Sequence, residues 1–158
     1  VQLRQLEDRN AARNSNLDYL SAGLRDLGFG TFPAPADVER TYFEYHVRYD
    51  EERSGLPKDM LLAALQAEGC QLPPQLYPLL HQQPFFTEGH ALALARSGRD
   101  PGDLPDYRAD DLPDTRAAQN LLIQLPTFPW AERPLLDQYL LAFHKVLNHA
   151  GEIVSALG

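Results

Sequence analysis

Apolar side chains recur at helical spacing at both ends of the chain. At the start, leucines at positions 3, 6, 17, 20 and 24 follow this spacing together with Asn10 and Arg13, and Gly28 is a stop signal. The pattern near the other end predicts one long helix from about Pro134 to Leu157. Its apolar stripe comprises Leu136, Tyr139, Leu140, Phe143, Val146, Leu147 and Ile153. We therefore expect long N-terminal and C-terminal helices.

A strand is predicted where polar and apolar residues alternate, in the segment TYFEYHVRYD from Thr41 to Asp50. Its aromatic and β-branched content is typical of strands. One face carries Tyr42, Glu44, His46 and Arg48, and the other carries Phe43, Tyr45, Val47 and Tyr49. The second face is the one expected to meet the core.

The middle of the chain alternates between short elements and breakers. Pro57 suits the first turn of a helix that Gly69 ends, and Cys70-Gln71-Leu72 reads as a short strand stopped by two prolines. Further helices are predicted for Thr87–Arg96 and from about Asp111 to Leu122, with an acidic linker between them. This order predicts a helix-rich α+β fold, with a small antiparallel or mixed sheet packed by several helices. Residues 1–158 are expected to form a single domain.

Composition narrows the possible partners and the compartment. The net charge of −8 disfavours nucleic acid and anionic membranes as partners, and no apolar run is long enough to span a bilayer. A single cysteine, Cys70, cannot form an internal disulfide, so a cytoplasmic location is the default expectation. Lysine occurs only at positions 58 and 145, which leaves two candidates for any lysine-dependent chemistry.

Most candidate chemistry in the sequence has a simpler structural interpretation. The five histidines and one cysteine form no zinc signature, and we expect no metal site. Cys70 is expected to be a small buried residue, and no serine lies in a nucleophile-elbow pattern. His46, with Glu44 and Arg48, is expected to belong to a surface charge ladder on the strand.

The stretch YPLLHQQPFF, from Tyr77 to Phe86, is the strongest candidate site. Its prolines limit the loop's freedom and its aromatic residues can anchor it in the core, so that His81, Gln82 and Gln83 form a polar tip on a rigid support. The residues alone leave a binding loop and a purely structural loop equally open.

The order of motifs along the chain resembles the C-terminal small domain of the DegT/StrS family of PLP-dependent sugar aminotransferases, which have fold type I. The segments that carry this resemblance cover nearly the whole chain. They are QLEDRNAARNSNLDYLSAGL, TYFEYHVRY, GLPKDMLLAALQAEG, YPLLHQQPFF, Asp111-Leu112-Pro113 with Thr115, Arg116 and Ala117, LIQLPTFPW, and PLLDQYLLAFHKVLNH.

The resemblance implies a role in a larger enzyme. In the family, a lysine in a preceding large α/β domain holds pyridoxal phosphate, and neither Lys58 nor Lys145 matches its motif. This chain is therefore expected to lack the large PLP-binding domain and to be inactive alone. The small domain helps to shape the acceptor pocket, which implies substrate-binding roles for Tyr77, His81 and Gln83. The parent enzyme, a homodimer, would move an amino group from glutamate or glutamine to a keto-sugar or cyclitol-like acceptor.

Two other functions remain open at this point. The first is a stand-alone, non-catalytic domain that binds a ligand or a partner. The patterned helix that begins at the first residue argues against it, because an apolar stripe is expected to pack against further parts of the protein. We therefore expect the chain to be a truncated or cleaved piece of a longer protein. The second is a small hydrolase, which would require Cys70 to lie beside His46 or His81 in a pocket.

Overall fold

A computed structural model describes residues 2–74, 77–84, 86–87, 97–98 and 112–157. It forms two compact units: one joins Val1–Pro74 to Leu122–Gly158, and the other is Gln75–Leu121. The predicted single domain stays a prediction. Within the described ranges, no helix has the length and apolar character needed to cross a bilayer.

Helices dominate the described residues, in agreement with the predicted α+β class. In chain order the elements are a 3-10 turn Gln2–Gln5, α1 Leu6–Asp26, β1 Tyr45–Arg48, α2 Glu51–Ser54, α3 Lys58–Ala67, a 3-10 turn Leu80–Gln82, α4 Pro113–Leu121, β2 Leu122–Leu125, α5 Arg133–Asn148 and α6 Ala150–Leu157. The two strands pair antiparallel, with Tyr45 opposite Leu125 and Arg48 opposite Leu122. The antiparallel sheet was among the predicted alternatives.

The core of the first unit lies between one face of this sheet and helices α1, α3 and α5. The strand face predicted to be apolar is buried at Tyr45, Val47 and Tyr49, whereas Phe43 is exposed. Each fully buried leucine or valine contributes about 1.5–3 kcal/mol of transfer free energy. The residues with essentially no exposure are Leu17, Leu20, Leu24, Val47, Leu56, Leu61, Leu65, Ile123, Leu125, Leu136 and Phe143.

The two helix ends that were predicted from a glycine are confirmed. Gly28 and Gly69 follow α1 and α3 with φ of +92°, a backbone conformation that a side chain disfavours. The start of this region differs from the prediction, since Leu3, in the 3-10 turn before α1, is 83% exposed, and the buried stripe of α1 begins only at Leu17. The apolar pattern before that point does not mark core contacts.

Three sequence predictions are wrong in detail. The strand predicted from Thr41 to Asp50 covers only Tyr45–Arg48, and α2 begins directly after it because the Asp50 carboxylate accepts a hydrogen bond from the Arg53 N–H at 3.0 Å. The single C-terminal helix is two helices, which are separated at His149. Cys70-Gln71-Leu72 is not a strand. The helix predicted for Thr87–Arg96 lies mostly outside the described residues.

Candidate functional site

The loop that carries the predicted site residues belongs to the second unit. His81 lies in the 3-10 turn Leu80–Gln82 and is 7% exposed, while Tyr77 is 60% exposed. The carbonyl of Tyr77 accepts a hydrogen bond from Gln119 Nε2 at 3.3 Å. Gln83 is half-buried, and its carbonyl accepts from the Phe86 N–H at 2.8 Å. The side chain of Tyr77 is thus exposed to solvent, and that of His81 is shielded from it. Phe85 lies outside the described residues.

A second candidate lies in the first unit, along the turn Pro126–Ala131 that joins β2 to α5. We call it the Trp130 groove, and its volume is about 570 Å³. Its rim includes two exposed aromatic rings, Phe43 and Trp130, and the guanidinium of Arg9 lies 5.1 Å from the centre of the Trp130 ring. The other lining residues are Gly69, Gln71, Pro73, Gln124, Leu125, Pro126, Thr127, Phe128, Pro129, Ala131, Leu135 and Tyr139.

The backbone of this turn is held in an unusual conformation. Phe128 has φ of +44°, which costs free energy in a residue with a Cβ and persists only where surrounding contacts impose it. Asn16 supplies two of those contacts, since its Nδ2 donates to the carbonyls of Phe128 at 2.8 Å and Ala131 at 3.0 Å. The buried Phe128 ring meets the Tyr139 ring edge-to-face with centroids 4.9 Å apart. The turn is therefore clamped from α1 and from α5.

Tyr139 also explains why the predicted strand at Cys70–Leu72 does not form. Its hydroxyl accepts a hydrogen bond from the Gln71 N–H at 2.9 Å and donates one to the Gln71 carbonyl at 3.2 Å. The Tyr139 hydroxyl thus satisfies the two backbone groups of Gln71 that a neighbouring strand would otherwise bond. Burial raises the pKa of Tyr139, and the hydrogen bond with Gln71 lowers it, so burial is the larger cause.

The lining of the Trp130 groove defines what it can bind. Apart from the phenol of Tyr139, it contains no ionisable side chain, and its polar groups are the side chains of Gln71, Gln124 and Thr127. A neutral ring or an apolar chain matches such a surface better than a phosphate or a carboxylate does. No sequence prediction assigned a site to LPTFPW, Leu125 to Trp130, because the clamp depends on Asn16, more than 100 positions away.

Cys70 does not have the surroundings of a nucleophile. Its thiol is buried, and burial raises its pKa to about 11, which keeps it protonated at neutral pH. Within the described ranges no hydrogen bond joins Cys70 to a histidine. The expectation that Cys70 is a small buried residue is confirmed, and the hydrolase alternative receives no support here. The same ranges contain no cluster of residues able to hold a metal ion.

The two lysines have different surroundings. The ammonium of Lys145 lies 2.7 Å from both carboxylate oxygens of Glu68, an ion pair between α5 and the end of α3. Lys58 is the first residue of α3 and lies outside the Trp130 groove. Burial lowers its pKa, and nearby Glu51 and Asp59 oppose that shift.

Comparisons with known proteins agree with the fold and with the order of motifs. Over 92 residues, the chain is 36% identical to a protein of Streptoalloteichus tenebrarius that is provisionally named L-glutamine:3-amino-2,3-dideoxy-scyllo-inosose aminotransferase; the match covers 54% of this chain and 22% of that protein. A crystal structure of a DegT DnrJ EryC1 StrS aminotransferase from Brucella abortus superposes with a TM-score of 0.60 at 21% identity, over 90% of this chain and 32% of the other. The second likeness shows the fold alone.

The family itself is shown by the sequence. Residues 1–99 match the DegT/DnrJ/EryC1/StrS aminotransferase family. This range contains α1, β1, α3 and the loop with His81. The chain spans about a fifth of the length of the curated relative and about a third of the solved structure. The chain belongs to the DegT/DnrJ/EryC1/StrS aminotransferase family.

Proposed function

We propose that this chain acts as the C-terminal small domain of a PLP-dependent aminotransferase. The reaction moves an amino group from glutamate or glutamine to a cyclic ketone. The observation that carries the proposal is the family match over residues 1–99, supported by the 36% identity to an aminotransferase of Streptoalloteichus tenebrarius. The name of that relative supports an acceptor among polyhydroxylated six-membered ketones rather than open-chain keto acids.

The cofactor's lysine must then come from a part of the protein outside this chain. Lys145 is ion-paired with Glu68, and Lys58 begins a core helix, so the residues present do not fit covalent attachment of pyridoxal phosphate. The contribution of this chain is to bind and orient the acceptor. In that role the Tyr77 hydroxyl, the His81 imidazole and the Gln83 amide are suited to hydrogen bonds with ring hydroxyls. The active enzyme is proposed to be a homodimer.

The first test is the coding sequence around this chain and the activity of its product. We expect an open reading frame that continues upstream into a lysine-bearing α/β domain. The purified full-length product should aminate a keto-inositol with glutamine as donor, measured as formation of the aminocyclitol. A stop codon directly before Val1, or full-length protein without turnover on any cyclic ketone, would contradict the proposal.

A second test addresses the predicted site residues in the full-length enzyme. His81→Ala should raise KM for the ketone acceptor by about 10-fold or more, because a lost buried hydrogen bond costs about 1–3 kcal/mol. Retention of the cofactor, followed by its absorbance after gel filtration, should be unchanged. The matched control is His149→Ala, since His149 is exposed and pairs with Glu152 at 3.1 Å. Unchanged acceptor kinetics in His81→Ala would assign the loop a structural role.

A third test uses the 158-residue chain alone. Mixed with pyridoxal phosphate, it should show no saturable, stoichiometric modification of lysine by mass spectrometry after borohydride reduction. Labelling at Lys58 or Lys145 at one equivalent would overturn the assignment of the cofactor lysine to another part of the protein. Turnover by the chain alone would have the same effect.

The alternative is a stand-alone domain that binds a ligand without catalysis. The Trp130 groove favours it, since its rigid turn and its exposed Trp130 and Phe43 rings form a binding surface that needs no cofactor. Under this alternative the coding sequence would begin next to Val1, and the full product would bind a neutral ring without transforming it.

A further inference from the structure

A second pocket in the first unit is lined by polar and charged groups, unlike the Trp130 groove. It has a volume of about 330 Å³, at the lower end of the range for small-ligand sites. It is built from the segment before β1, the start of β1 and the first residue of β2. The residues that the argument uses are Arg40, Thr41, Tyr42, Glu44, Tyr45 and His46. We call this the Glu44 pocket.

The carboxylate of Glu44 is left without a hydrogen bond. Its side chain is 20% exposed, and its Oε1 atom is shielded from solvent and has no partner within the described ranges. The nearest opposite group is His46 Nε2, which lies 3.7 Å from the other oxygen, Oε2, beyond hydrogen-bonding distance. Because buried polar atoms in native proteins nearly always have partners, this oxygen requires a donor that the described residues do not supply.

Arg40, one of the two arginines that lie four positions from Glu44 in the sequence, is committed elsewhere. The guanidinium of Arg40 lies 5.3 Å from the centre of the Tyr42 ring, on its face, and Nη1 donates to the Phe32 carbonyl. The carbonyl of Arg40 in turn accepts a hydrogen bond from Asn14 Nδ2 at 2.9 Å. Arg40 thus forms a wall of the pocket and supports the Tyr42 ring instead of neutralising Glu44.

The charge of the pocket selects among ligand classes. An anion would have to approach the Glu44 carboxylate, in a chain whose net charge is −8. A neutral polyol could donate a hydroxyl to this carboxylate. An ammonium group provides both the donor and the opposite charge, and hydrogen bonds that join two charged groups are about twice as strong as neutral ones. The hydroxyls of Thr41 and Tyr42 at the same pocket are suited to ring hydroxyls.

We propose that the Glu44 pocket binds an amino-bearing polyhydroxylated ring, with the Glu44 carboxylate accepting hydrogen bonds from its ammonium group. This inference goes beyond the proposed function, because Tyr77, His81 and Gln83 belong to the other unit and the Glu44 pocket is a binding site of the first unit alone. The relative of Streptoalloteichus tenebrarius is named for a ketone that carries an amino group at a second ring position. Glu44 then selects amino-bearing rings for this pocket and takes no part in a chemical step.

Binding to the 158-residue chain tests the pocket without any transamination. Isothermal titration would compare three probes: scyllo-inosamine, which carries one ammonium; scyllo-inositol, its neutral counterpart; and an inositol monophosphate, its anionic counterpart. We expect the amine to bind about 10- to 100-fold more tightly than the neutral ring, since a hydrogen bond to a charged group contributes about 1.5–3 kcal/mol. The phosphate should bind most weakly. Equal affinity for amine and neutral ring, or no binding of the amine, would overturn the proposal.

Variants identify the residue responsible. Glu44→Gln should abolish the preference for the amine and leave the affinity for scyllo-inositol unchanged, whereas Glu44→Asp should retain part of the preference. Glu52→Gln, at an exposed position of α2, is the control and should bind like the parent chain. A full amine preference in Glu44→Gln would refute the assignment. Chemical-shift changes of the His46 ring on titration provide a readout that does not depend on a variant's stability.

The outcome can be separated from that of the proposed function. Amine binding through Glu44 in a full-length protein that does not transaminate would leave this site standing and remove the enzyme assignment. Turnover of cyclic ketones by a protein that shows no preference for the amine in the binding experiment would support the enzyme and remove the Glu44 site.

Discussion

The Trp130 groove and the Glu44 pocket lie in the same unit and differ in how their polar groups are satisfied. In the groove, Asn16 binds two carbonyls of the turn, and Tyr139 binds both backbone groups of Gln71. In the pocket, Glu44 has an oxygen shielded from solvent with no partner within the described ranges. A satisfied network indicates a scaffold that holds its shape without a ligand. A carboxylate oxygen that is buried at a pocket without a hydrogen bond lowers the stability of the fold, which indicates that the residue is kept for a function.

The largest effect on stability that we expect concerns Tyr45, whose buried side chain is among those that line the Glu44 pocket. Burial raises its pKa from 10.0 to about 12, although the hydrogen bond with Ser21 at 2.7 Å partly opposes this. A pKa raised by folding means that the protonated form stabilises the fold. The contribution is fully present below pH 10 and is lost as the pH rises towards 12, by about 1.4 kcal/mol per pH unit.

Urea unfolding at pH 9, 10 and 11 measures this dependence, with Tyr45→Phe as the comparison. The parent chain should lose more stability than Tyr45→Phe between pH 10 and 11. Parallel pH profiles of the two proteins would show that Tyr45 does not titrate in this window.

The next effect tests the satisfied network of the Trp130 groove. Tyr139→Phe removes one hydroxyl and leaves the N–H and the carbonyl of Gln71 without their partner, which we expect to cost about 1–3 kcal/mol. Tyr19→Phe is a matched control, because the Tyr19 hydroxyl bonds Asp137 at the surface and its loss should cost less than about 1 kcal/mol. Urea midpoints compare the two variants. Equal losses would contradict the structural importance of the Tyr139 contact.

Two asparagines on α1 compare the two regions directly. Asn16→Ala removes both hydrogen bonds that hold the Phe128 turn, and we expect a loss of about 1–2 kcal/mol together with a change in Trp130 fluorescence. Asn14→Ala removes one bond, to the Arg40 carbonyl, and also removes an oxygen that is buried without a partner. Its cost should stay below about 1 kcal/mol. If Asn14→Ala proved the more destabilising, the Glu44 pocket would be the more tightly held region.

The smallest effect on stability is expected at Glu44 itself. Glu44→Gln removes a carboxylate whose Oε1 has no described hydrogen-bond partner and whose Oε2 lies 3.7 Å from His46 Nε2, so the free energy of unfolding should change by less than about 0.5 kcal/mol or rise slightly. Thermal unfolding of the parent chain and the variant, without ligand, measures this. A loss above about 1 kcal/mol would show that Glu44 holds the fold, and the contrast between the two regions would disappear.

Local signals were sufficient for much of the fold. Gly28 and Gly69 end their helices as predicted, because the backbone after each helix takes a positive φ that glycine adopts readily. The alternation from Phe43 to Tyr49 correctly assigned Tyr45, Val47 and Tyr49 to the core. The family resemblance, carried by ordered motifs across the chain, is confirmed by the match over residues 1–99. The roles of Tyr77, His81 and Gln83 stay predictions.

Other features could not be predicted because their partners are distant in sequence. The segment Cys70-Gln71-Leu72 was predicted to be a strand, yet the backbone N–H of Gln71 is hydrogen-bonded to the hydroxyl of Tyr139. No local sequence pattern indicates that contact. The division of the C-terminal helix at His149 could not be predicted either, because the apolar stripe continues past it and the backbone of His149 still bonds to Lys145 and Ile153.

By itself, the sequence indicated the α+β class, the glycine-ended helices and the buried face of β1, because helical and strand periodicities and glycine stops act over a few residues. The family was indicated separately, by the resemblance of its ordered motifs, and the match over residues 1–99 confirms it. Only the tertiary structure decided which polar groups are satisfied. Asn16 reaches a turn that begins at position 126, Tyr139 reaches Gln71, and the oxygen of Glu44 is reached by no described residue. A hydrogen bond depends on distance and direction between atoms, and these are set when the chain packs.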